Sequence, residues 1–329
     1  FISIDDHEVD NLRKLCNEVF GEENFIATIV WQKVFAPKNT ARQFSEDHDY
    51  IVCYARNTAS WKPVLLPRSE VAQERYRNPD NDPRGPWSSS DMTARNYYAE
   101  GQYEVTSKTG KVFKPAVGNY WRVKRSKFEE LDKDGRIWWG ENGGSMPRLK
   151  RFLSEVKEGV VPQTLWKFDD VGHTQESKKE LIEYVKFKNT DNVIDSVKPT
   201  RLIKKLLKIA TQPAGNEIVM DFFLGTGTTA HAVLALNAED GGNRRFIGIQ
   251  LPEPLIVPEP GLKTIADVAR RRVSQVAAEL SAEAREKLDF HGKSPTGIGF
   301  RLYRLDQSNF TTWDAGIKHD PETLERQLE

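Results

Sequence analysis

The hydrophobic positions follow two different spacings along the chain, and together they predict a mixed α/β protein. Apolar runs at 1–4, 27–31 and 50–55 have the length and composition of strands. Helical spacing, with apolar residues three or four positions apart, recurs in the second half of the chain. The predicted helices there are 170–189, one that opens at Lys198-Pro199-Thr200, and 264–280 with Arg270, Arg271 and Arg272 on its flank.

The run 218–223 is apolar except for one acid, which is typical of a parallel strand covered on both faces. Gly225 and Gly227 follow it and allow the backbone to turn sharply and approach a ligand. We expect one of the two threonines after Gly227 to cap the next helix, and 245–250 to form another strand. This order predicts a strand–helix–strand unit of the nucleotide-binding kind, although two glycines alone fit an ordinary structural turn equally well.

Composition changes between about residues 57 and 166, where Pro, Gly, Trp, Tyr, Lys and Arg replace the longer apolar runs. Asn78-Pro79 and Asn142-Gly143 mark turns, so this region is predicted to be an inserted module of short strands and loops. Basic and aromatic residues are interleaved in its middle, between Lys108 and Lys127. Cations neutralise phosphates and aromatic rings stack on bases, but a solvated face over a small aromatic core has the same composition.

Overall composition restricts the class of protein. With 329 residues, 38% hydrophobic and 29% charged, the chain is typical of a soluble globular protein and has no window apolar enough to span a membrane. Its formal net charge of zero weighs mildly against nucleic-acid binding, although local patches matter more than the total. Cys16 and Cys53 are its two cysteines, which indicates buried thiols and a reducing, cytoplasmic location. The 6 histidines lack metal-ligand spacing, so we predict no metal site.

The string Asp-Phe-Phe-Leu-Gly-Thr-Gly-Thr-Thr at 221–229 resembles the S-adenosylmethionine-binding motif of DNA amino-methyltransferases, and it is far more specific than a bare Gly-x-Gly. The Lys-Pro-Thr segment at 198–200 resembles the helix start that precedes this strand in that family. Residues 247–253 resemble the strand that ends beside the adenosine. The end of the chain, 299–313, is similar to the modification subunits of type III restriction systems, whose target is adenine N6.

The resemblance implies a Rossmann-like α/β sheet in circularly permuted order, with a target-recognition insert between the catalytic half and the cofactor half. The implied domains are the end of the catalytic half at 1–57, the DNA-binding insert at 58–170, the cofactor half at 171–285, and a C-terminal strand and tail at 286–329. The residues implied to bind S-adenosylmethionine are Lys198, Pro199, Thr200, Asp221, Phe222, Phe223, Gly225, Thr226, Gly227, Thr228, Thr229, Gln250, Leu251 and Glu253. The residues implied to bind double-stranded DNA are Lys111, Lys114, Tyr120, Trp121, Arg122, Lys124, Arg125 and Lys127.

The family's catalytic tetrapeptide, Asp/Asn/Ser-Pro-Pro followed by an aromatic residue, is the one departure, because the sequence contains no Pro-Pro pair. We therefore assign no catalytic residue and expect the motif, with its strand, upstream of Phe1. The implied function is site-specific methylation of adenine N6 by a homodimer that works with a restriction subunit. Alternatives are cytosine N4 as the target, a cofactor- or DNA-binding module without activity, and a nicotinamide dehydrogenase, which would need a third glycine where Ala230 stands. The recognised DNA sequence and the oligomeric state do not follow from the residues.

Overall fold

Two compact units make up the described part of the chain, which in this computed structural model comprises residues 1–286 and 298–306. The first unit is Phe1–Asp170 with Lys205–Gln212, and the second is Val171–Lys204 with the described residues from Pro213 onward. The division after Asp170 coincides with the predicted end of the insert, whereas the insert and the segment before it share the first unit.

The first unit is built mainly from short strands. Its elements are β1 Ile2–Ile4, α1 Val9–Phe20, β2 Phe25–Gln32, β3 His48–Tyr54, α2 Glu70–Gln73, β4 Trp87–Asp91, β5 Thr93–Ala94, β6 Val105–Thr106, β7 Val112–Phe113, β8 Tyr120–Trp121, α3 Arg125–Lys133, β9 Ile137–Trp138, β10 Arg148–Phe152 and β11 Leu165–Trp166.

Four of these strands form one sheet in the order β1-β3-β2-β11. β1 and β2 pair antiparallel with β3, which confirms the three strands predicted at the beginning of the chain. β11 pairs parallel with β2. Its place in this sheet was not predicted, because this part of the sequence was assigned to the insert. Trp31 on β2 and Trp166 on β11 are buried, so these rings form part of the core of this sheet.

The insert has a small core of its own. β10 pairs antiparallel with both β4 and β9, and β5–β8 and β6–β7 form two further antiparallel pairs. Trp121 and Phe128 belong to one buried hydrophobic cluster. The buried Lys150 ammonium donates to the carboxylates of Asp80 and Asp82, so this charge is paired inside the module. The prediction of short strands and loops in this region is confirmed.

The second unit alternates helices and strands. Its elements are α4 Phe168–Val171, which begins in the first unit, α5 Thr174–Val185, α6 Thr200–Ala210, which ends in the first unit, β12 Ile218–Asp221, α7 Thr228–Asp240, β13 Arg245–Gly248, β14 Pro254–Glu259, β15 Leu262–Thr264 and α8 Ile265–Glu286. β12, α7 and β13 form the predicted strand–helix–strand unit, with the two strands parallel.

Helices cover one face of the β12–β13 pair. Leu224 and Phe246 pack on that face against a buried cluster from α7 and α8. The side chains of Ile218 and Met220 are 53% and 57% exposed. The prediction of a strand covered on both faces is therefore wrong for the described residues, because successive side chains of a strand alternate between its two faces.

Two features near the end of the described chain also differ from prediction. The antiparallel pair β14–β15 was not predicted, and it leads directly into α8. Residues 298–306, where an alternating pattern predicted a strand, form no strand, and the rest of the predicted tail to 329 lies outside the described residues. Among the described helices, none has both the length and the apolar character needed to cross a membrane.

Candidate functional site

The turn between β12 and α7 depends on two glycines in the left-handed region of the backbone, Gly225 with φ +56° and Gly227 with φ +85°. A Cβ on Gly227 would lie 3.1 Å from Cγ2 of Val273, so the turn packs closely against α8 there. A Cβ on Gly225 would meet only the carbonyl oxygen of Phe223, at 3.8 Å. The turn is thus closed on its α8 side and open above Gly225.

Helix α7 begins without a side-chain cap. Gly227 is the N-cap residue, and Thr228 and Thr229 are the first two helical residues, so the predicted threonine cap is wrong. Thr229 Oγ1 donates instead to Asp221 Oδ2 at 2.6 Å, and Thr228 Oγ1 accepts from Arg272 Nη1 at 2.9 Å. Gly227 has no side chain to accept from the first N–H groups of the helix, so these groups point out as donors at its positive end.

Two side-chain acceptors hold the open side of the turn. Asp221 Oδ1 accepts from the N–H of Phe223 at 3.0 Å, in addition to the bond from Thr229 to its other oxygen. Gln250 Oε1 accepts from the N–H of Gly225 at 2.7 Å. The residues just after β13 are therefore tied directly to the turn.

Apolar side chains are exposed beside these bonds. Phe222 and Phe223 are 62% and 82% exposed, and Leu251 is exposed as well. Apolar surface next to a few fixed polar groups is the usual composition of a small-molecule site. Glu253 is also exposed, and among the described residues its carboxylate makes no hydrogen bond to the turn.

The Lys198-Pro199-Thr200 segment opens α6, as predicted. The carbonyl of Pro199 accepts from the N–H of Leu202 at 3.1 Å, in the first turn of the helix. Thr200 is buried, and its Oγ1 donates to Glu180 Oε2 at 2.8 Å. Lys198 is partly exposed at the entry to this helix.

A fully buried arginine on α8 connects this segment to the glycine turn. Arg272 Nη1 donates to Thr228 Oγ1 at 2.9 Å and to Thr226 Oγ1 at 3.4 Å. Its Nη2 donates to Thr200 Oγ1 at 3.0 Å and to Glu180 Oε2 at 2.9 Å. One guanidinium therefore holds hydroxyls from both predicted cofactor segments.

His231 lies on α7 beside this guanidinium and is buried. Arg272 Nε donates to His231 Nδ1 at 3.3 Å. Burial, and then the positive charge of Arg272, lower the pKa of His231 to about 3. The ring is consequently neutral near pH 7, and the hydrogen-bond geometry assigns its proton to Nε2.

The insert cations predicted to bind DNA fall into two groups. Arg125 and Lys127 on α3 pair with glutamates of the same helix, at 3.0 and 2.5 Å. Lys111 immediately precedes β7 and Lys114 immediately follows it. Both are exposed and have no carboxylate partner among the described residues. The second pair therefore keeps its full positive charge available to a ligand.

Trp121 does not belong to an exposed DNA surface. Its side chain is fully buried in the insert core, and Nε1 donates to the carbonyl of Tyr103 at 2.8 Å. Tyr120, the preceding residue on β8, is half-buried, and its ring lies 5.3 Å from that of the exposed Tyr97. Arg122 and Lys124 are exposed. This correction follows from the alternation of side chains along a strand, which placed the larger ring inward.

Known proteins resemble this chain over most of its length. The family model described as DNA methylase, for N6 and N4 methyltransferases, matches residues 1–256. The chain belongs to the DNA methylase family. The Mod subunit of the type III enzyme StyLTI from Salmonella typhimurium is 33% identical over 95% of this chain and 46% of its own length. The EcoP15I Mod subunit from Escherichia coli is 27% identical over 93% of this chain and 49% of its own length.

A type II relative is similar as well. The methyltransferase M.KpnI from Klebsiella pneumoniae is 28% identical over 84% of this chain and 68% of its own length. The DNA methylase chain described here spans about half the length of the type III Mod subunits that it matches.

Sequence reasoning missed Arg272 of this DNA methylase, which it placed on the flank of α8. That prediction is wrong, and the spacing of apolar residues along α8 could have corrected it. Arg272 stands four residues after Val268 and four before Val276, both buried, so helical periodicity puts it on the inward face. The acceptors that make its burial possible lie on other elements, and the sequence of α8 does not reveal them.

Proposed function

We propose that the protein containing this DNA methylase chain transfers a methyl group from S-adenosylmethionine to N6 of adenine at specific sites in double-stranded DNA. The observation that carries this function is the open glycine turn, held in shape by Asp221 and Gln250. Family membership and similarity to three type III Mod subunits support the reaction and a place in a restriction-modification system.

The groups around the turn suit the parts of S-adenosylmethionine. The uncapped start of α7 and the ammonium of Lys198 offer positive charge to a carboxylate. The exposed side chains of Phe222 and Leu251 offer apolar surface to a purine, and Glu253 offers acceptors to ribose hydroxyls. When bound, S-adenosylmethionine supplies an activated methyl group, so the task of the protein is to bind, orient and exclude water.

Residues of the site divide by role. Asp221, Gln250, Thr226, Thr228 and Thr229 shape the turn through the bonds that they make to it or within it. The proposed cofactor surface consists of Lys198, Phe222, Phe223, Gly225, Leu251 and Glu253. The buried residues Pro199, Thr200 and Gly227, also predicted to bind the cofactor, support that surface from behind.

We place the DNA surface on the insert, around Lys111 and Lys114. Exposed cations without carboxylate partners can bind phosphates without first breaking an ion pair. The rings of Tyr120 and Tyr97 lie close to each other in the same module and offer a surface for stacking. A base whose amino group is to be methylated must leave the stack to reach the cofactor.

The order of the segments supports a circularly permuted Rossmann-like domain, with the insert at 58–170 between the catalytic segment at 1–57 and the cofactor half at 171–285. By similarity to the type III relatives, a second copy and a restriction subunit are the proposed partners, and the cytoplasm is the proposed location.

Methyl incorporation tests this function. The parent protein is incubated with DNA and tritium-labelled S-adenosylmethionine, and the digested nucleosides are separated. We expect label in N6-methyldeoxyadenosine, lost in Asp221→Ala and kept in Asp195→Ala, which changes an acid whose side chain is 90% exposed. Label in N4-methyldeoxycytidine would contradict the adenine target. Absence of label while cofactor is bound would contradict the enzyme and favour a binding module.

A further inference from the structure

We propose that Arg272 is a positioning residue, which fixes the shape of the glycine turn and joins it to the Lys-Pro-Thr segment before any cofactor enters. This role rests on the proposed function, because it takes the turn to be part of the cofactor site. The residue itself lies beneath that site, fully buried on α8.

All donors of Arg272 are engaged inside the protein. A guanidinium has five N–H groups. Nη1 has the hydroxyls of Thr226 and Thr228 as acceptors, Nη2 has Thr200 and Glu180, and Nε has His231. No N–H remains for a ligand, so its influence on a ligand passes through the groups that it holds.

The positions of the acceptors make this influence specific. Thr226 and Thr228 stand on either side of Gly227, and Thr200 is the first residue of α6. Because the guanidinium is planar and rigid, bonds to all three hydroxyls fix the turn relative to the start of α6. An ammonium presents its donors around a single point and does not span the same acceptors.

The charges around Arg272 also support a positioning role. Glu180 pairs with Arg272 at 2.9 Å, while His231 beside them stays neutral because its pKa is lowered to about 3. A buried ion pair is weak evidence for stability by itself, since desolvation offsets its attraction. Arg272 also makes directional bonds to three hydroxyls, and an apolar side chain of similar size would not make them.

A second buried arginine in the same unit provides a matched control. Arg244 bonds to Asp240 and Asn237 near the other end of α7, at 3.0 and 3.3 Å. Arg244→Lys removes a buried guanidinium without touching the turn. It therefore measures the cost of such a change for folding alone.

Calorimetric titration with S-adenosylmethionine compares Arg272→Lys, Arg244→Lys and the parent protein, each first shown to be folded by circular dichroism. We expect Kd to rise at least about tenfold in Arg272→Lys and to stay within about twofold in Arg244→Lys. In the absence of cofactor, amide hydrogen exchange at Gly225 to Thr229 becomes faster in Arg272→Lys only. Parent-like affinity and exchange in a folded Arg272→Lys would overturn the role.

Two further results keep the test decisive. If the parent protein does not bind S-adenosylmethionine, the proposed function fails, and amide exchange at the turn still decides the role of Arg272. If Arg272→Lys does not fold, Thr228→Val removes an acceptor and Thr228→Ser keeps it. We then expect weaker binding and faster exchange at the turn in the valine variant alone, and equal values in both would overturn the role.

Discussion

The carboxylate of Asp221 accepts a 2.6 Å hydrogen bond from the hydroxyl of Thr229, eight positions further along the chain. Its other oxygen accepts from the N–H of Phe223 at 3.0 Å. Hydrogen bonds to an ionised acceptor are roughly twice as strong as neutral ones. One side chain at the end of β12 therefore fixes both the first residues of the turn and the first turn of α7.

We expect Asp221→Ala to weaken S-adenosylmethionine binding roughly tenfold to hundredfold, because both bonds across the turn are lost. Thr229→Val removes one of them and has a smaller effect, while Thr229→Ser keeps the hydroxyl and serves as the control. Titration calorimetry on the three variants measures this order. Parent-like affinity in Asp221→Ala would show that the turn does not depend on this carboxylate.

The two glycines of the turn differ in what a methyl group would meet. Gly227→Ala places an alanine in the left-handed region of the backbone, with its Cβ 3.1 Å from Cγ2 of Val273. We expect this substitution to lower the free energy of unfolding by about 2–4 kcal/mol. Gly225→Ala meets open space, so only the backbone strain of about 1 kcal/mol remains. Urea unfolding followed by circular dichroism gives both values. Equal losses would contradict the close approach of α8 at Gly227.

Buried His231 makes the fold sensitive to acid. Its pKa is about 3 when folded and about 6.5 when unfolded, so the unfolded chain binds the proton more readily between these values and stability falls as pH falls. Between pH 7.5 and pH 5 we expect this one group to cost about 2 kcal/mol of unfolding free energy. His231→Gln keeps an acceptor for Arg272 without titrating. Between these two pH values, the free energy of unfolding should therefore fall by about 2 kcal/mol more in the parent protein than in the variant. An equal fall in both proteins would contradict a neutral buried ring.

The insert offers matched pairs of cations for a DNA-binding test. The double variant Lys111→Ala with Lys114→Ala should reduce the slope of log affinity against log salt by about 2, as each phosphate contact contributes about 0.9. Arg125→Ala with Lys127→Ala should reduce it by less than half as much, because these cations already pair with glutamates. Fluorescence anisotropy with a labelled duplex at several salt concentrations measures both slopes. An equal reduction would contradict the placement of the DNA surface.

The strand–helix–strand unit followed from the sequence because its determinants are local. An apolar run, two glycines that need positive φ, and a helical pattern lie consecutively between Ile218 and Asp240. The start of α6 was predicted from Pro199 for the same reason.

What sequence reasoning missed depends on residues far apart in the chain. The exposed face of β12 reflects which elements cover the sheet, and a run of apolar residues does not specify that. Thr228 and Thr229 do not cap α7 because Arg272 and Asp221 provide other partners for their hydroxyls. Trp121 is an aromatic residue among cations, as in a DNA-binding segment, yet its ring packs with Phe128 and Trp139 in the core of the insert. The sequence does not show which of the aromatic rings in this region turn inward.

The central claim is that the turn around Gly225 and Gly227 binds S-adenosylmethionine, and NMR of the protein labelled with ¹⁵N-glycine tests it most directly. On titration with S-adenosylmethionine, we predict saturable shifts of the Gly225 and Gly227 amide signals, with little change at Gly135 and Gly143 in the insert. A nicotinamide dinucleotide should leave all four signals in place. Signals of Gly225 and Gly227 that stay unmoved at saturating S-adenosylmethionine would contradict the account.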